Sequence, residues 1–167
     1  MSRLSGSRDR QFEAFFGAES EGLRRFAAFL TGDADRATDL AQEALVRTYR
    51  QWRRIDSDPA AYARRIVVNL VRAEHRKSLV RRRYTPQGDW RTAPDTDRVD
   101  DWLRMTSALR TLSPIRRAAI VLRYYDDMSE ADIAHVLNRP LGTVKSDIHR
   151  GLARLRQELD GAGGDGR

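Results

Sequence analysis

Thr143, Lys145, Ser146, Asp147, His149 and Arg150 lie close together near the C-terminal end of this 167-residue sequence. They offer hydroxyl, ammonium, guanidinium and imidazole donors and one carboxylate acceptor. Donors of this kind bind phosphate oxygens and the edges of base pairs. Val144, Ile148, Leu152 and Leu155 recur among them at spacings of four, four and three, which is one face of an amphipathic helix. Ser146, Arg150 and Ala153 then fall on the opposite side, with His149 and Arg154 flanking it. Alone, the stretch also fits an ordinary solvated helix. Asp147 is the acid on this half of the helix, about 40° from Thr143 and one turn from Arg150. Two roles fit it: accepting from the N4 amino group of a cytosine, or orienting Arg150 as a surface pair.

The segment that must position these residues is "MSEADIAHVLNRP". Ser129 and Asp132 read as an N-cap pair with Asp in place of the usual Glu. Ile133, Val136 and Leu137 give a short apolar face. Asn138 and Arg139 leave only a tight connection before Pro140, which is acceptable at the start of a helix. A short helix, a tight turn and a longer helix with a polar outer face make a helix-turn-helix, whose second helix enters the DNA major groove. A structural helical hairpin is the other arrangement, and the polar outer face disfavours it.

Upstream lies a second candidate surface. Residues Arg64 to Arg83 hold eight basic residues and one acid, Glu74, a formal charge equal to the +7 of the whole chain. The rest of the sequence therefore balances, and the positive charge is local. Such a dense run on an amphipathic helix favours a phosphate-binding track over plain solvated surface. The overall excess of 31 Lys and Arg over 24 Asp and Glu fits a polyanionic partner. With no cysteine, disulfides and Cys-ligated zinc are excluded, and a reducing cytoplasm fits. His75, His135 and His149 show no metal-ligand spacing. No apolar run approaches the roughly 20 residues of a membrane span, and the N-terminus lacks the apolar core of a signal peptide. No nucleophile–base pair or phosphate loop appears, so neither an enzyme nor a cofactor is expected.

The elements around these surfaces read as all-α. A polar, frayed start is expected through Asp9, then helix from Gln11 to Leu30 with a break near Gly17. Gly32 stops it, and Asp33 caps the next helix. That helix carries Ala37, Leu40, Ala41, Ala44, Leu45, Thr48 and Trp52 on one face and Asp35, Asp39, Gln42, Glu43, Arg47 and Arg50 on the other. Pro59 opens a third helix. "YTPQGDWRTAPDTDR" has no periodicity and reads as a linker, with Trp90 able to dock on a domain surface. Helices follow from about Val99 to Leu112 and from Pro114. "GAGGDGR" reads as a disordered end. The expected organisation is two small helical domains, residues 10–83 and 99–160, joined by a flexible linker over 84–98.

Two stretches carry a resemblance in the right order. "DADRATDLAQEALVRTYRQW" and "PAAYARRIVVNLVRAEHRK" resemble region 2 of bacterial RNA polymerase sigma factors. "ALRTLSPIRRAAIVLRYYDDMSEADIAHVLNRPLGTVKSDIHRGLARLR" resembles their region 4. Nothing resembling region 3 lies between them, a layout similar to the extracytoplasmic-function (ECF) sigma factors, and "RRIVVNLV" resembles a SigE-like branch common in actinobacteria. "GTVKS" alone is weak, because many helix-turn-helix regulators share it. The whole set in order is specific.

The resemblance implies roles. The face with Asp39, Gln42 and Glu43 would dock on core RNA polymerase. The loop Arg54–Asp58 and the following helix would read the minus-ten element, with Ile55, Asp56, Ser57, Arg65, Asn69 and Arg72 as contacts and a base flipped from the stack. Thr143, Lys145, Ser146, Asp147, His149 and Arg150 would read the minus-thirty-five element of promoter DNA. It also implies an anti-sigma factor as partner. The sequence departs from the family near Tyr62, where Trp is usual, near Ala73, where Asp is usual, and at Asp147, where Arg is usual. Two other classes fit parts of the chain: a stand-alone dimeric helix-turn-helix regulator, and a helical RNA-binding or adaptor protein using the Arg64–Arg83 track. Neither gives the "DLAQE" helix a task.

Overall fold

The structure, a computed structural model, describes residues 2–56, 58–84 and 97–162. The linker expected over 84–98 falls largely outside them, as do Trp90, Ser57 and the last five residues. Among the described residues there is no strand, and the fold is all-α.

Helix α1 (Ser2–Thr31) runs unbroken through both the expected frayed start and Gly17. Long-range contacts hold its first turns. The Arg8 guanidinium lies 4.4 Å above the Tyr49 ring and donates to the Tyr49 carbonyl. The Tyr49 hydroxyl donates to Asp9 at 2.8 Å. Phe12 and Phe15 pack against Trp52 with ring centroids 5.2 and 5.1 Å apart. One internal glycine costs about 1 kcal/mol of helix stability, and this packing offsets it.

Gly32 ends α1 with φ +71°, a left-handed conformation that glycine adopts without steric cost. Asp33 then accepts from the Arg36 amide at 2.9 Å and caps α2 (Ala34–Gln51). Helix α2 buries Ala37, Leu40, Ala41, Ala44, Leu45 and Thr48. The Thr48 hydroxyl is satisfied by its own helix, donating to the Ala44 carbonyl at 2.8 Å. A single 3₁₀ turn (Trp52–Arg54) leads to α3 (Pro59–Tyr84), whose first turn is capped by Asp58 accepting from the Ala61 amide. Phe26, Leu30, Leu40 and Val67 form the fully buried centre of this half.

The second half consists of α4 (Asp97–Arg110), α5 (Pro114–Tyr124), α6 (Glu130–Leu137) and α7 (Leu141–Ala162). Helix α4 stops two residues before the expected Leu112, in a turn closed by Leu112 N–H on the Leu109 carbonyl. The α6 N-cap forms as its sequence predicts: Ser129 accepts from the Asp132 amide at 3.1 Å, and its hydroxyl donates to the Asp132 carboxylate at 2.6 Å. Asn138 ends α6 in the left-handed region (φ 51°, ψ 54°), which Asn tolerates best after Gly. Leu122, Ile133, Val136 and Val144 are the fully buried centre. Gly151 lets α7 approach α5 closely, since a Cβ there would lie 3.0 Å from Ile120 Cγ1.

The two halves pack on one another. Phe29 of α1 stacks between Trp102 and Tyr125, at 4.6 and 4.4 Å. Helix α3 lies against α5 and α6.

Candidate nucleic-acid and polymerase interfaces

Helix α7 presents the polar face its spacing predicts. Val144, Ile148, Gly151 and Leu155 are buried, while Lys145, Ser146, His149 and Arg150 are exposed and Thr143 is half-exposed. The Thr143 and Val144 amides donate back to the Pro140 carbonyl. Pro140 thus sits one position before the helix and supplies its first acceptor. Lys145 lies 3.9 Å from Glu130 at the start of α6. Five of the six residues therefore share an accessible surface rich in donors.

Asp147 does not join them, and this corrects its expected place on the outward face. It is 8 % exposed. Its Oδ1 accepts from Arg116 Nε at 3.1 Å and its Oδ2 from Arg139 Nη1 at 3.2 Å. Both oxygens point into the junction of α5, the turn and α7. The base-reading role needs an outward carboxylate, and the carboxylate orients Arg116 and Arg139 in place of the expected Arg150.

On the other half, Asp39, Gln42 and Glu43 line the exposed side of α2. Asp39 lies 3.8 Å from Arg36, and Glu43 lies 2.5 Å from Arg47. These are exposed pairs within one helix, worth little, and they leave the carboxylates accessible. Val46 extends the same stripe and is half exposed. An apolar residue there was overlooked in the sequence, although its place three residues after Glu43 is a usable signal.

Around the expected minus-ten reader, Ile55 is half-buried and Asp56 exposed. Beside them a cleft of about 500 Å³ is lined by Ser7, Arg8, Gln11, Trp52, Arg53, Ile55 and Pro59. Trp52, read in the sequence as a packing residue, packs on Phe12 and Phe15 and also lines this cleft. Asn69 is exposed on α3 and Arg72 half-buried. Arg65 is engaged inside the protein. Its Nε donates to the Val136 carbonyl at 3.0 Å and its Nη2 to the His135 carbonyl at 2.5 Å. These carbonyls lie at the C-terminus of α6, where the helix dipole favours a cation, and that of His135 also accepts from the Asn138 amide. Arg64 bonds to Asp126 at 3.1 Å and Glu19 at 3.3 Å.

Arg117 is a residue whose role the sequence hid. It sits in the apolar run of α5 and is 6 % exposed. It donates to the carbonyls of Leu109 (2.9 Å), Leu112 (3.1 Å) and Arg110 (3.4 Å), and to Leu30 of α1. Burial, with some repulsion from Arg110, pushes its guanidinium down to about 10, so it stays charged at neutral pH. One cation thus satisfies the C-termini of α1 and α4.

A helix-turn-helix with an outward donor face, joined to a helical half with an exposed acidic stripe and a basic helix, defines a DNA-binding transcription protein. Residues 15–83 match the sigma-70 region 2 family and residues 102–155 match sigma-70 region 4. The RNA polymerase sigma-E factor of Streptomyces coelicolor is 36% identical over 152 residues, spanning 89% of this chain and 86% of that protein. The ECF RNA polymerase sigma factor SigL of Mycobacterium tuberculosis is 33% identical over 175 residues, spanning 98% of each. Among solved structures, the sigma factor RpoE from Bartonella quintana, in complex with the anti-sigma factor NepR, superimposes with a TM-score of 0.75 at 25% identity. It covers 90% of this chain and 98% of that one. The chain belongs to the ECF group of RNA polymerase sigma factors, and as such it directs transcription initiation.

Proposed function

We propose that this sigma factor divides its work between three surfaces. The stripe of Asp39, Gln42, Glu43 and Val46 docks on core RNA polymerase. The cleft beside Ile55 and Asp56, with Ser57 from the loop and Asn69, Arg65 and Arg72 from α3, holds the opened minus-ten element. The outward face of α7, Thr143, Lys145, Ser146, His149 and Arg150, reads the minus-thirty-five element in the major groove. No bond of the substrate is broken by the chain itself. It supplies binding energy, and part of that energy offsets the few kcal/mol needed to unstack a base.

The observation that carries this reading is the division of α7. Val144, Ile148 and Leu155 are buried against the rest of the helix-turn-helix, and its donors are left outside. A cleft of about 500 Å³ falls in the range that holds small organic ligands, roughly 300–1,000 Å³, which suits a flipped base near an aromatic wall. An anti-sigma factor as regulatory partner is supported by the Bartonella relative, solved with NepR. A cytoplasmic site of action follows from this reading, and no described helix is long and apolar enough to cross a membrane.

Run-off transcription with core polymerase on genomic fragments tests the proposal. The chain should confer initiation at a discrete set of promoters, and Arg150→Ala should abolish dependence on the minus-thirty-five sequence. DNA binding by the chain alone as a dimer, without any gain in transcription, would refute it.

A further inference from the structure

Asp147 lies on the helix that carries the donor face, yet its carboxylate faces inward. Each oxygen accepts from a different guanidinium, one on α5 and one in the turn. The side chain of Asp147 is only 11% exposed, whereas those of Arg116 and Arg139 are 38% and 36% exposed. The anion is buried and its two cations reach the surface. A guanidinium has five N–H donors, and each of these spends one on Asp147, so the rest remain for another acceptor. The three groups together keep a net charge of one positive unit, next to the donor face of α7.

We propose that Asp147 is a positioning residue that aims Arg116 and Arg139 at the phosphates flanking the minus-thirty-five element. This rests on α7 being the helix that enters the groove. Two long side chains held by one carboxylate lose their rotamer freedom before DNA arrives, so less is lost on binding. A guanidinium is also suited to a phosphate, because its planar fork gives two parallel hydrogen bonds. The acid thus strengthens contact with a polyanion, against the sign of its own charge.

That sign makes the idea testable. Promoter binding by the reconstituted holoenzyme is measured by anisotropy over a series of salt concentrations, and base preference with a library randomised across the minus-thirty-five element. Arg116→Ala and Arg139→Ala should each lower the slope of log K against log salt by about 0.9, the value for one phosphate contact, with base preference unchanged. Asp147→Ala should weaken binding about three- to tenfold although it makes the chain more positive. In an Arg116→Ala, Arg139→Ala background the same change should have no effect or tighten binding. Tighter binding from Asp147→Ala in the otherwise unaltered chain would mean that the carboxylate only repels DNA and would overturn the proposal. So would altered preference at a single base pair, the mark of a base reader, or unaltered salt slopes in both arginine variants. Should Asp147→Ala abolish the thermal unfolding transition, Arg116→Lys and Arg139→Lys decide instead. They keep the charge and lose the fork, and binding equal to that of the parent chain would overturn the proposal. Lys145→Ala with Arg150→Ala is the separate control: promoter binding that survives it removes the reading of α7 itself, whatever Asp147 does.

Discussion

The donor face of α7 and the first arginines of the basic run on α3 carry similar residues in opposite states. On α7, Lys145, Ser146, His149 and Arg150 are exposed, and the turn and N-cap behind them are complete. On α3, Arg64 and Arg65 are committed within the protein, to Asp126 and Glu19 and to the carbonyls ending α6. The first surface can meet DNA as it stands. Arg64 and Arg65 can do so only after they exchange these partners for DNA, which requires Arg65 to leave α6 and Arg64 to leave Glu19 and Asp126, whereas Arg76 and Lys77 further along α3 are exposed. A charged surface is therefore not equivalent to an available one. Availability depends on what the rest of the fold offers the same donors.

The sharpest way to break this arrangement is at Arg117, which ties α1 to α4. Arg117→Met takes the guanidinium donor from the buried carbonyls of Leu30 and Leu112, each costing about 1–3 kcal/mol, while the Leu109 carbonyl keeps the Leu112 amide. The loss should reach about 3 kcal/mol or more in urea denaturation, and Arg117→Lys should recover only part of it, because an ammonium cannot match the fork. A loss below 1 kcal/mol would show that water replaces the guanidinium freely.

Arg65→Ala addresses the α3 surface directly. It removes two charge-assisted bonds to the end of α6, and the free protein should lose about 2 kcal/mol. Small-angle scattering should then report a larger radius of gyration, as the halves separate more readily. An unchanged radius would mean that the Phe29 stack with Trp102 and Tyr125 holds the halves without Arg65.

The α2 stripe should behave like α7, available without rearrangement. Asp39→Arg with Glu43→Arg is expected to weaken core polymerase association about tenfold, or about 1.4 kcal/mol, with circular dichroism unaltered. Val46→Asp should act in the same direction if the stripe is one interface. Association that survives all three changes would move the docking surface elsewhere.

The smallest effects separate the two halves at their caps. Asp33→Ala and Ser129→Ala should each cost about 1 kcal/mol. Ser129→Ala should be the larger, since that hydroxyl also donates to Asp132 and caps a helix of only eight residues. Equal melting temperatures for the two variants would show that the second bond adds nothing.

Much of the fold was legible because its signals are local. Gly32, Asp33, Ser129, Asn138 and Pro140 mark helix ends within a turn of where the structure has them, and the stripes of α2 and α7 follow from their period. The continuity of α1 was not legible, because Gly17 and the polar first residues argue for a break and only the packing on Tyr49 and Trp52 overrides them. The candidate surfaces divide in the same way. The sequence alone determined most of the residues of α2 and α7 that face outward, Asp147 excepted, since helical geometry fixes that within a few positions. Only the tertiary structure decided which charges stay available. Asp147 meets Arg116 31 residues away, Arg65 meets the carbonyls of Val136 and His135 at 71 and 70, and Arg117 meets Leu30 at 87. No helical period encodes a partner at such distances. A buried charge takes whatever opposite charge or dipole the packing brings within about 3 Å, because leaving it unpaired costs more than any local preference can supply.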